Sequence, residues 1–230
     1  MHTELNRRDV LKTLGGAGLA AVFGARALDF LGDDAQAATT CLLTPEVTEG
    51  PYWVETSLTR RDIRSGKAGL PLVLRFTILN AQTCSVIKNA DVEIWHCDAL
   101  GNYSAVNGAR TRFLRGHQKS NASGKAEFLT IFPGWYRGRT PHIHMKVYVG
   151  GEEVHTGQIF FNEAITKAVY KQAPYARRGT YDTPHSRDNI YEQAGGPNAQ
   201  VKLAKRTGGL KGYVGTIAIG VVSYRPTAES

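Results

Sequence analysis

Cysteine and histidine are scarce in this chain, with three and seven among 230 residues. An odd cysteine count allows at most one disulfide and leaves a thiol over. No apolar stretch is long enough to cross a bilayer comfortably. The best candidate, from Leu14 to Phe23, is rich in glycine and alanine and falls short of the roughly 20 residues a spanning helix needs. Helical periodicity is almost missing; only "NEAITKAVYKQ", starting at Asn162, reads as a helix. There is no internal repeat. The net charge is +8, yet the basic residues are scattered and no nucleic-acid-binding motif is present. The basic balance therefore points to a general attraction for anionic substrates or surfaces, with no nucleic-acid partner. A length of 230 residues suits one domain with a sizeable core and is too short for two large ones.

The first 37 residues differ from the rest. "NRRDVLKTLGGAGLAAVFG" couples Arg7 and Arg8 to the short apolar run, and "AQA" at 35–37 reads as a small-residue cleavage site. Together they resemble a twin-arginine export signal over residues 1–37, which places the mature chain in the periplasm or outside the cell with no integral membrane span. An ordinary N-terminal helix or membrane anchor is the alternative. Removing the segment takes away Arg7, Arg8, Lys12 and Arg26 with Glu4, Asp9, Asp29, Asp33 and Asp34, so the balance stays basic. Export to an oxidising compartment favours one disulfide. Cys41 and Cys84 sit near segment ends and are the expected pair, with Cys97 as a buried thiol.

From Cys41 onward the chain is a series of short segments rich in β-branched and aromatic residues. They fall at 70–79, 90–98, 125–132, 142–149, 155–161 and 212–224, separated by "NAQTC", "DALGN", "NASGK" and "VGGEE". "GGEE" reads as a tight hairpin. "EQAGGPNAQVKLAKRTGGLKG" reads as a long polar loop or hairpin tip. The expected fold is all-β, an antiparallel β-sandwich with long loops and little helix.

One stretch concentrates chemistry: "GWYRGRTPHIHMKVYV", 134–149. Alternation along a strand puts His142 and His144 on one face and Ile143 on the other, about 6 to 7 Å apart, so both imidazoles can reach one metal ion. Two histidines on a solvent-facing strand would give the same pattern. Tyr136 lies six residues before His142 behind a Pro-Gly turn, and "WHCDALGNYSAV" presents Tyr103 after an Asn turn. Phenolate is a hard ligand that favours ferric iron, whereas zinc more usually takes His, Cys or carboxylate. A core or interface tyrosine is the plainer account of Tyr103.

"ADVEIWHCDALGNYSAV", "FLRGHQKSNASGKAEFLTIFPGWYRGRTPHIHMKV" and "TGQIFF", with "LTPEVTEGPYWVE" before and "YDTPHSRDNIY" after, resemble the intradiol ring-cleavage dioxygenases, in particular the short exported members. The resemblance covers nearly the whole mature chain, residues 41–226 being the expected catalytic domain. It implies one ferric ion, Fe(III), per chain, held by Tyr103, Tyr136, His142 and His144, with Tyr136 and His144 axial and Tyr103 and His142 equatorial. It implies Arg139 and Gln158 as active-site residues, Tyr136 as a proton acceptor, and a catecholic substrate cut by O2 between its hydroxyl-bearing carbons to a muconate-type diacid. Arg137 competes with Arg139 for its role. A structural ion pair is the alternative for the arginine, and a strand-pairing amide for Gln158.

His96 and Asp98 are expected to be structural, His117 and His155 to face solvent or cap turns, and Trp95 and Trp135 to be core or pocket-wall aromatics. The chain departs from the family's bacterial catechol enzymes in lacking their helical dimerisation region, so their dimer is not expected to carry over and the oligomeric state stays open. The short Tyr136-to-His142 spacing implies a trimmed loop and a more open pocket. Two other readings compete: an exported β-sandwich binding module without catalysis, and a zinc hydrolase, which would lack an evident general base beside the histidines.

Overall fold

The computed structural model describes residues 42–106, 110–207 and 211–222. The export-signal segment and Cys41 lie outside the described residues. Among the described residues the strands form two four-stranded sheets. In chain order the strands are β1 (Pro71–Asn80), β2 (Asp91–Trp95), β3 (Arg115–Lys119), β4 (Lys125–Ile131), β5 (His142–Val149), β6 (Glu152–Phe160), β7 (Lys202–Lys205) and β8 (Tyr213–Val221). One sheet runs β4-β1-β8-β7 and the other β3-β2-β5-β6. Every pair is antiparallel except β1 with β8, which run parallel. The sandwich is therefore largely, not wholly, antiparallel.

Period-two alternation builds the core. Leu72, Leu74, Phe76 and Ile78 of β1 are fully buried and belong to one apolar cluster with Val92 and Ile94 of β2 and Ile143, Met145 and Val147 of β5. The intervening residues of β2 and β5 occupy the opposite, outer face of their sheet. That face carries Asp91, Glu93 and Trp95 beside Tyr148, Lys146 and His144, their register partners. Gly150 and Gly151 join β5 to β6, both at positive φ (66° and 94°), as the expected two-residue hairpin requires.

The outer face does not lie open to water. The segment after Leu42 crosses it: Val47 N–H donates to the Thr156 carbonyl, and Thr59 bridges to His117 of β3. Lys146, between them, pairs with Glu49 at 2.7 Å and Glu153 at 2.8 Å and sits over the Trp53 ring. Covering segments thus turn a polar sheet face into an interior.

Some elements differ from expectation. "RGHQK" forms strand β3, which lacks the β-branched signature because its partners, not its propensity, recruit it. His117 therefore sits on a strand, mostly covered, 3.2 Å from Asp91. His155 is buried within β6 and does not face solvent. Besides the expected helix, Glu163–Tyr170 with Asn162 capping it, a short helix spans Asn189–Gln193. The polar stretch before β8 supplies β7, the other arm of a hairpin. His96 and Asp98 lie past the end of β2 and are structural. His96 bonds Thr130 and the Cys97 carbonyl, and Asp98 pairs with Lys67 and accepts from Leu100 and Asn102 N–H. Cys84 is disulfide-bonded and Cys97 is a free, buried thiol.

Candidate metal centre

Four side chains converge at the covered outer face, and they come from three places. His142 and His144 are successive outward residues of β5. Tyr136 comes from the turn before β5, and Tyr103 from the loop after β2. Glycines bring these two loops together. A Cβ at Gly134 would meet the Asp98 carbonyl oxygen at 2.1 Å, and one at Gly101 would meet the Trp135 carbonyl oxygen at 2.2 Å. Each loop thus lays a bare backbone against the other, and only glycine allows it. Gly134→Ala is expected to push the loops apart, so that any metal the site binds is lost before the domain unfolds. Metal content per folded chain, measured beside the thermal midpoint, checks this; full metal retention would refute it.

The converging atoms form an unbroken series. The Tyr136 hydroxyl lies 3.0 Å from His142 Nε2, that nitrogen 3.1 Å from His144 Nε2, and the latter 3.0 Å from the Tyr103 hydroxyl. Both histidines are buried. His142 Nδ1–H donates to the Thr140 carbonyl at 2.7 Å, which leaves Nε2 bare and aimed at its neighbours. His144 stacks flat on Trp95 (5.0 Å between ring centres, 7° between planes), so Trp95 is the back wall. Its Nδ1 is buried without a hydrogen-bond partner among the described residues. Tyr52 stacks on Tyr103 at 4.3 Å and meets Tyr136 edge-on.

Burial sets the charge state. It pushes the Tyr103 phenol well above its ordinary range and Tyr136 up to about 12, the latter opposed by the charge of Arg139. It pulls His142 down to about 3, helped by Arg139, and His144 well below its ordinary value, helped by His142. The imidazoles are neutral and ready to donate lone pairs. The phenols are held for a cation strong enough to displace their protons.

The residue set fits ferric iron. Two phenol oxygens and two imidazole nitrogens, all facing one point, give a hard, mixed donor set. Among the described residues no group of three or more His, Cys, Asp or Glu is placed to hold a metal.

The two candidate arginines differ in placement. Arg137 is 95% exposed and only loosely paired with Asp182 at 3.8 Å. Arg139 turns inward: its Nε–H donates to Asp188 at 2.9 Å and its Nη2–H to Gln158 Oε1 at 2.6 Å. Gln158 Nε2–H donates in turn to the Thr48 carbonyl at 2.8 Å. Gln158 thus ties Arg139 to the covering segment, and it is the register partner of His144 across the β5–β6 ladder.

No family model matches the chain. Among solved structures it is similar to an intradiol ring-cleavage dioxygenase from Tetranychus urticae, with a TM-score of 0.75 and 31% identity, over 81% of this chain and 98% of that one. The chain belongs to the intradiol ring-cleavage dioxygenase family. Among curated proteins it is 35% identical over 101 residues to catechol 1,2-dioxygenase 1 of Acinetobacter lwoffii, covering 40% of this chain and 32% of that protein. It is 30% identical over 161 residues to catechol 1,2-dioxygenase of Acinetobacter baylyi, covering 59% and 51%. The chain thus spans about a third to a half of the length of these two relatives.

The sequence did not point to Asp188, Thr140 or Tyr52 as parts of this intradiol dioxygenase site. Asp188 had a local signal only, as an acidic residue ahead of Asn-Ile-Tyr fit to cap a helix. Nothing near it in sequence names Arg139 as its partner.

Proposed function

We propose that the chain is a non-haem iron(III) intradiol dioxygenase, holding one iron per chain and cleaving a catechol between its hydroxyl-bearing carbons with O2 to a muconate-type diacid. The observation that carries this reading is the unbroken series of two phenol oxygens and two imidazole nitrogens, each within 3.0–3.1 Å of the next. Tyr103, Tyr136, His142 and His144 would hold the iron. When bound, ferric iron supplies a Lewis acid that chelates a catecholate and withdraws electron density from its ring.

The protein's own groups do the rest. Tyr136 is the more exposed of the two tyrosines and comes from a turn, so its phenol oxygen is the one suited to take a substrate proton and step aside. Arg139 presents Nη1, which has no partner among the described residues, and opposes negative charge building on the ring or the product carboxylates. Gln158 holds that guanidinium from the far side. Trp95 and Tyr52 flank the ligands with aromatic surface and keep their charges in a poorly hydrated setting.

The reading of residues 1–37 as a twin-arginine-type signal belongs to the same proposal, and puts the reaction in the periplasm or outside the cell. The disulfide at Cys84 supports it, because such bonds persist in oxidising compartments.

The test is a visible spectrum of the purified, iron-loaded protein, before and after anaerobic addition of catechol, followed by oxygen and product analysis. A mid-visible band that moves to longer wavelength with catechol, and a ring-opened diacid after oxygen, are the expected results. A colourless protein that retains no iron would sink the proposal in favour of a binding module.

A further inference from the structure

We infer that Asp188 is a positioning residue of this site, a buried carboxylate that sets both the arginine and the peptide behind the first histidine. The inference rests on the functional reading above. Its side chain is 0% exposed. A carboxylate removed from water must find donors, and this one finds four. Oδ1 accepts from the N–H groups of Ile190 (3.0 Å) and Tyr191 (3.3 Å), while Oδ2 accepts from Arg139 Nε (2.9 Å) and Thr140 N (2.8 Å).

The two oxygens do different jobs. Oδ1 caps the short helix, which asparagine or serine would do as well. Capping therefore leaves the charge unexplained. Oδ2 explains it, by reaching back to the turn that leads into β5 and meeting a cation there.

Two consequences reach the metal centre. Thr140 is held by both of its backbone groups, its N–H by Asp188 and its carbonyl by His142 Nδ1–H, so the carboxylate acts through one residue on the tautomer of His142. Arg139 is tied at Nε by Asp188 and at Nη2 by Gln158, which fixes its plane and leaves Nη1 as the free edge. The segment that delivers Asp188 is itself pinned to β6. His185 stacks on Tyr191 at 4.0 Å, Tyr191 meets Phe160 edge-on at 5.2 Å, and Phe160 is the register partner of His142.

Nitrogen-15 NMR of the iron-free full chain reads the Arg139 Nε–H directly. The expected result is a slowly exchanging, resolved signal in the wild type that collapses into the bulk arginine envelope in D188N. If D188N does not fold, D188S, which keeps a capping oxygen, serves instead. A rapidly exchanging Arg139 Nε–H in the wild type would overturn the inference with no variant needed. In the iron-loaded protein, D188N is expected to lower kcat for catechol about 10- to 100-fold with KM changed less than about threefold, while the colour remains. In an R139M background the same change should cost less than about threefold more. Equal losses in both backgrounds would show that Asp188 does not act through Arg139 and would overturn the inference. Failure of the dioxygenase reading looks different: the wild type itself would be colourless and would not consume catechol, with the NMR result untouched.

Discussion

Alanine at His144 is expected to leave a colourless protein with no measurable ring cleavage. His144 is one of the two inner members of the converging series, within 3.1 Å of both His142 and Tyr103, and it is completely buried against Trp95. Removing it takes one donor from the proposed iron site and leaves Tyr103 without its hydrogen-bond neighbour in the series. Losing a group one bond removed from a metal ligand costs roughly 10- to 100-fold in affinity or activity, and losing the ligand itself should exceed that. The control is His117→Ala, on the same sheet face but beside Asp91 and Glu93. It should keep both iron and colour. Bound iron, visible absorbance and oxygen uptake on the two variants decide the matter. A coloured, active H144A would mean that these four residues are not the metal site.

The second large effect concerns stability. His96 and His155 are not among the four converging side chains, and burial pulls each down to about 4. For His96 the Cys97 carbonyl and Asp98 pull upward and Arg115 pulls down; for His155, Glu46 and Glu153 pull upward; burial outweighs them. In the unfolded chain both titrate near 6.5. Between 6.5 and 4 the unfolded chain binds protons that the folded one refuses, so stability falls as pH falls through that window. Each histidine should cost about 2 kcal/mol by pH 5, a large share of the ~5–15 kcal/mol that holds a domain together. Glu93 works the other way: burial raises its carboxyl, so it gains stability as pH drops. Urea unfolding at pH 7 and pH 5 should show a marked drop at the lower pH. In the iron-free protein His142 and His144 add to the drop, so His155→Gln should remove only its own share, about 2 kcal/mol. An unchanged unfolding free energy would show that neither histidine is kept neutral by the fold.

The sandwich was legible where strands carry their own pattern. β1, β4, β5 and β8 alternate or run apolar, and Gly150-Gly151 announces its turn. β3 was not legible, because "RGHQK" has no strand propensity and is held by β2 on one side and by residues near Thr59 on the other. The parallel pairing of β1 with β8 was equally hidden, since periodicity carries no information on which strands meet. At the candidate site, His142 and His144 could be paired from alternation alone, but Tyr103 and Tyr136 joined them through the family resemblance. Their meeting depends on two glycine contacts between loops that no local pattern reveals. Asp188 illustrates the limit best. Its local environment accounts for an N-cap, and its ion pair with Arg139 exists only because the chain folds back over itself.

That parallel pair has a consequence for how the chain is made. β1 sits between β4 and β8, with Leu72 aligned to Tyr213 and Asn80 to Val221. The first of the described strands therefore waits for the last of them before its second edge is closed, and the connection spans most of the domain. Such distant pairing slows folding, because a long loop must be closed before its contacts repay it. Until β8 arrives, β1 offers an open apolar edge to any neighbouring chain. A nascent chain of this topology benefits from a holdase that delays commitment until synthesis is complete, and a product truncated before Tyr213 should aggregate instead of surviving as a smaller domain.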